Sequence, residues 1–199
     1  MELEKFSSQL IERMERKDKH FSSKIYKYSV DVQNKATKSN IGPIIYFTEE
    51  TSELQQLLCK YARSKMSGNN YAIYEELADV FIMVNCLISY FRLSKDRIYC
   101  SASASEKYAI TSDIDVPLYF RKYSGDVCNE MYKYVNHSAA SISEGYIIRL
   151  LAALYRLIDY LDIDEQTLRY AIDVKINRFI RANGLEDLVK EDKECLTSM

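Results

Sequence analysis

The sequence predicts an all-α protein, a helical bundle, and three observations carry that reading. Only five glycines and two prolines interrupt its 199 residues, so long helices are expected. Apolar residues recur at spacings of three and four along most of the chain, the period of a helix with one buried face. No stretch carries a convincing strand signal. A chain of this length can bury a core without staples, so a single domain over residues 1–199 is expected.

The elements follow in order. Phe6, Leu10 and Met14 lie at helical spacing and open a lysine-rich helical stretch. Pro43 fits a first helical turn, where its missing N–H costs nothing, and Ile45, Leu54, Leu57, Leu58 and Tyr61 carry a helix from Ile44 to about Lys65. "MSGNN" ends it, and a helix from Tyr71 to about Leu93 follows, apolar nearly all round in "LADVFIMV" and therefore buried. The polar, small-residue run "YCSASASEKYAITSDID" reads as a connector that is partly helical. Pro117 opens the next helix, with Gly125 as a break. "EGYIIRLLAALYRLIDYL" is a strongly apolar helix, and "DEQTLRYAIDVKINRFIRANG" is a last one stopped by Gly184. The charged tail, residues 185–199, is expected to be flexible.

Composition excludes several classes. The net charge of −2, with lysines and arginines spread along the chain and no stretch dominantly basic, leaves no footprint for nucleic acid. No apolar run reaches the ~18 residues of a membrane span, and "MELEKFSSQL" lacks signal-peptide organisation, so no membrane partner and a cytoplasmic location are expected. Five cysteines without a C-x-x-C pair argue against a zinc cluster or disulfide frame and read mostly as core fillers. His20 and His137 have no nucleophile pattern near them, which leaves triad chemistry without support.

An internal similarity runs through the chain. Residues 87–98, "LISYFRLSKDRI", align with residues 157–168, "LIDYLDIDEQTL", at a shift of seventy, sharing Leu-Ile-x-Tyr and a Ser- or Asp-capped helix start. Extended backwards with a shorter loop, the match sets "EETSEL" beside "DVCNEM". A duplicated helical unit whose second copy has drifted is the simplest reading, with halves at about 1–110 and 111–184.

Clustered carboxylates are the chemical signal. Glu50 and Glu53 share a helix face, as do Glu76 and Asp79. Antiparallel helices would set these pairs opposite each other, where burying them unpaired costs several kcal/mol each. A divalent cation removes that cost, and an all-oxygen ligand set suits Mg²⁺, or Mn²⁺ in its place. Glutamates on helices more often form a solvated face, but Asp79 sits in a run too apolar for one.

Glu49-Glu50-x-x-Glu53, then twenty-two residues, then Glu76-x-x-Asp79 resembles the E-E-x-x-E and E-x-x-D signature of MazG-like nucleoside triphosphate pyrophosphohydrolases, relatives of the dimeric dUTPases. The similarity covers about residues 42–98, and Asp173-x-Lys175-x-x-Arg178-Phe179 echoes a downstream N-x-K-x-x-R-F segment, departing from it at Asp173. The resemblance implies Mg²⁺-dependent cleavage of a nucleoside triphosphate between the α- and β-phosphates. It makes Glu50, Glu53, Glu76 and Asp79 metal ligands and Glu49, Glu50 and Glu53 the catalytic set. Lys175 and Arg178 would grip phosphate, with Lys35 and Lys38 as weaker candidates. It leaves room for a homodimer or higher homo-oligomer. At the matching positions the second half carries Val127, Glu130, Tyr146 and Arg149, so one metal site per chain is expected. The alternative is a non-catalytic helical module that binds a nucleotide or a protein.

Overall fold

A computed structural model describes residues 42–64, 71–104 and 110–182. The expected helix around Phe6, Lys35 and Lys38, His20, the "MSGNN" break and the tail lie outside the described residues. Within them there are six helices and no strand, in the order α1 Gly42–Ser64, α2 Tyr71–Tyr90, α3 Lys95–Ala104, α4 Asp115–Val135, α5 Glu144–Tyr160 and α6 Glu165–Ala182. The all-α expectation therefore holds, and none of these helices is long and apolar enough to cross a membrane.

Each helix buries the stripe that its period dictates. On α1, Phe47, Thr51, Leu54 and Leu58 face inward at spacings of four and three. The hydroxyls of Thr48, Thr51 and Ser52 on this helix donate to backbone carbonyls one turn back at 2.7–2.8 Å. Helix α2 is buried from Leu77 to Ser89 at most positions, as its all-round apolar sequence requires. Residues from all six helices, among them Phe47, Leu77, Val84, Ile98, Phe120, Leu154 and Ile172, join one hydrophobic cluster.

The packing order departs from the chain order. Helix α1 lies on α2 and on α4, and α4 lies on α5. The short α3, however, packs on α5, and the last helix, α6, packs on α2. Across the α1–α4 contact the Gln55 amide donates to the Pro117 carbonyl at 3.1 Å, and the Cys128 thiol sits against the Thr48 and Thr51 hydroxyls.

Two turns repeat each other at a spacing of seventy residues. After α2, the N–H of Leu93 donates to the Ile88 carbonyl at 2.9 Å and that of Arg92 to Ser89 at 3.0 Å. After α5, Ile163 donates to Ile158 at 3.0 Å and Asp162 to Asp159 at 3.3 Å. Both are Schellman endings, and their left-handed residues are Arg92 at φ 54° and Asp162 at φ 50°. The helix that follows starts alike in both places, with Ile98 N–H on the Ser94 carbonyl and Leu168 N–H on the Asp164 carbonyl. The Asp164 carboxylate caps the Thr167 N–H at 2.7 Å, as the sequence suggests.

One local expectation needs correction. Helix α4 runs unbroken through Gly125, because a single glycine weakens a helix without ending it when both flanks are buried. The serine-rich connector is helical at its start, residues 99–104, in line with the partly helical reading, since α3 begins at Lys95 and buries Ile98 and Ala102. Of the four described cysteines only Cys86 is buried, and Cys100 is exposed.

A methyl group at Gly125 would meet nothing within 4 Å, so Gly125→Ala is expected to stabilise the fold by roughly 0.5–1 kcal/mol in urea denaturation. The opposite exchange applies at Arg92, whose left-handed backbone suits glycine. Arg92→Gly is expected to add up to about 1 kcal/mol, and a loss of stability would mean that the Arg92 side chain holds the turn.

Candidate metal centre

Helices α1 and α2 run antiparallel, so the face carrying Glu50 and Glu53 meets the face carrying Asp79 and Glu76. One carboxylate oxygen each from Glu50, Glu76 and Asp79 lies within 4.8 Å of the others, and these three are the one such group among the described residues. All three are half-buried. Glu53 stands at the exposed edge, where its charge acts on Glu50 and Glu76 and it is close enough to share a hydrogen with Glu76. Glu49 is exposed one residue away. Glu75, which the sequence reading passes over, acts on both Asp79 and Lys175; its place beside Glu76 in "YEELAD" was the available signal.

Lys175 reaches this seam from α6. Its ammonium donates to Asp79 Oδ2, and the two side chains are only 19 % and 18 % exposed. The cation that Asp79 needs is therefore supplied, at least for one carboxylate, by the chain itself. Arg178, one turn further along α6, is exposed, so the structure brings Lys175 but not Arg178 into the cluster. Asp173 is exposed as well.

Electrostatics record the crowding. Burial, with the negative charges of Asp79, Glu53 and Glu76 added, pushes Glu50 up from 4.5 to about 7. Burial and Asp79 do the same to Glu76, also to about 7. Asp79 is raised too, chiefly by burial, although Lys175 pulls it the other way. Burial works against the charged form of Lys175, but Asp79, Glu76 and Glu75 outweigh it and hold the ammonium protonated. One positive charge thus faces a group of carboxylates that it cannot neutralise. Glu76 Oε2 is buried with no hydrogen-bond partner. A buried carboxylate oxygen without a donor is costly, and a hard cation is the kind of partner it fits.

The residues that the sequence alignment sets against the four acids have other surroundings. Val127 is fully buried in the core, and Glu130 is buried against Lys133. The Arg149 guanidinium stacks on the Tyr146 ring at 4.6 Å. Hydrocarbon, an ion pair and a cation–π contact surround these residues in place of an acid cluster. Comparison with protein-family models, with curated proteins and with solved structures finds no match to this chain.

The raised carboxyls fix the sign of a pH effect. The folded chain holds these protons more tightly than the unfolded chain does, so stability is lost as pH rises from 4.5 through about 7. Without divalent metal, the melting temperature is expected to fall across that window. Glu76→Gln, with one charge fewer, should melt above the wild type once the pH exceeds about 7; equal melting there would show that the charges do not strain the fold.

Proposed function

We propose that the chain is a Mg²⁺-dependent nucleoside triphosphate pyrophosphohydrolase of the MazG-like kind, cleaving its substrate to a monophosphate and pyrophosphate. The observation that carries the reading is the convergence of Glu50, Glu76 and Asp79 from two short motifs twenty-two residues apart, with the partnerless Glu76 Oε2 among them.

Glu50, Glu53, Glu76 and Asp79 are the carboxylates that would hold Mg²⁺, with Mn²⁺ able to take its place. Bound there, the ion would offset phosphate charge and activate the attacking water, the main needs of phosphoryl-type substitution. The chain's own groups do the rest. Glu53 and Glu49 stand on the exposed side, where solvent approaches, and orient a water and accept its proton. Lys175 brings a positive charge from α6 to the edge of the triphosphate site, and Arg178 extends that charge along the same helix toward solvent.

We further infer that the bundle is a duplicated unit with one working site. Turns with the same hydrogen bonds and a left-handed residue at the matching place, Arg92 and Asp162, seventy positions apart, support this reading. So does the exchange of third helices, α3 lying on α5 and α6 on α2. The second half, without its acids, contributes core and Lys175.

The alternative is a non-catalytic module that binds a nucleotide or a protein. It draws on the Lys175–Asp79 pair, which already meets part of the demand for a cation. The two readings separate in one experiment. Purified protein with Mg²⁺ and a panel of canonical and modified nucleoside triphosphates is expected to release pyrophosphate, and Glu53→Gln to reduce that release by at least about a hundredfold. In the same samples Mg²⁺ should raise the melting temperature of the wild type but not of Asp79→Ala. Nucleotide binding without pyrophosphate release across the panel would favour the module.

A further inference from the structure

The ammonium of Lys175 and a divalent cation would need the same group. Lys175 donates to Asp79 Oδ2, and Asp79 is one of the three residues whose oxygens converge. We propose that Lys175 is a built-in competitor for the cation at Asp79: it occupies that carboxylate in the metal-free chain and must leave it when metal binds. The inference rests on the metal reading above and concerns how that site is loaded.

The local geometry suits such an exchange. The lysine head is a compact point charge on a flexible four-carbon stem, so it can release one carboxylate without moving its helix. Helix α6 is anchored independently by Leu168, Ala171, Ile172 and Ile176, which are buried in the core on either side of the lysine in sequence. A cation arriving among Glu50, Glu76 and Asp79 repels the ammonium while it takes the carboxylate. The displaced head then has Glu75 nearby, and a triphosphate brought in with the metal offers it a better partner. Metal on its own must therefore displace an ion pair, whereas metal that arrives with phosphate gives the lysine somewhere to go. By linkage, the aid that phosphate gives to metal binding is returned equally to phosphate binding.

The test measures Mn²⁺ binding to the nucleotide-free full-length protein by calorimetry and by the electron paramagnetic resonance signal of free Mn²⁺. Wild type, Lys175→Met and Lys175→Arg are compared. Removing the competing charge is expected to tighten Mn²⁺ binding about tenfold in Lys175→Met, while Lys175→Arg keeps the cation and binds like the wild type. A lysine that merely braces α6 would give the opposite sign, because loosening the helix weakens the site. Lys175→Gln repeats the measurement with a polar head should the methionine variant not fold. Binding by Lys175→Met and Lys175→Gln that is equal to or weaker than wild type overturns the competition and leaves the metal reading standing. Absence of Mn²⁺ binding in every variant overturns the metal reading and the competition together. Binding in Lys175→Met with none in the wild type supports both.

Discussion

Repulsion among carboxylates on the seam between α1 and α2 is the constraint to which the surrounding structure answers. Glu50, Glu53, Glu76 and Asp79 are drawn together because each shares a helix with the apolar stripe beside it, and burying those stripes leaves the acids facing one another. Hydrophobic burial wins that contest, since the core gathers large side chains from all six helices. The losing side shows as acids held protonated toward neutrality and as one buried oxygen with no donor.

The packing order decides who relieves the repulsion. Had α3 folded back on α2, a neighbour in sequence would have covered the seam; instead α6 lies there and delivers Lys175. The other exchange, α3 on α5, is tied by Glu144, whose carboxylate accepts from the Ser94 N–H at 3.0 Å and from Arg97 Nε at 2.6 Å. The same layout therefore places a carboxylate over the start of one exchanged helix and a lysine on the other. On α4 and α5, by contrast, Arg149 stacks on Tyr146 and Glu130 pairs with Lys133.

The class of fold was legible because helical period and the scarcity of glycine and proline are local properties that tertiary contacts reinforce. The facing acids were legible for the same reason: a spacing of three fixes a helix face, and a short connection makes antiparallel neighbours. What sequence could not convey was distance in space. That Lys175 would bind Asp79, while Arg178 would point to solvent, depends on which helix lies beside α2, and no spacing within α6 encodes that. The unbroken α4 was hidden by a fair rule applied too strongly, since Gly125 weakens its helix while Phe120, Val127 and Met131 hold it in the core. Residues 99–104 form the helical part of the connector because Ile98 and Ala102 dock the helix that contains them.

The separation between Lys175 and Asp79, 96 positions along the chain, bears on how the protein is made. A ribosome releases α1 and α2 long before α6, so the acids can gather before their lysine exists. Until the last helix emerges, α2 also lacks the partner that covers one of its apolar flanks. Contacts this distant in sequence close late and slow the folding of a helical protein. The nascent chain therefore passes through an interval in which its carboxylate cluster and an uncovered greasy helix stand side by side, and docking of α6 ends both exposures in one step.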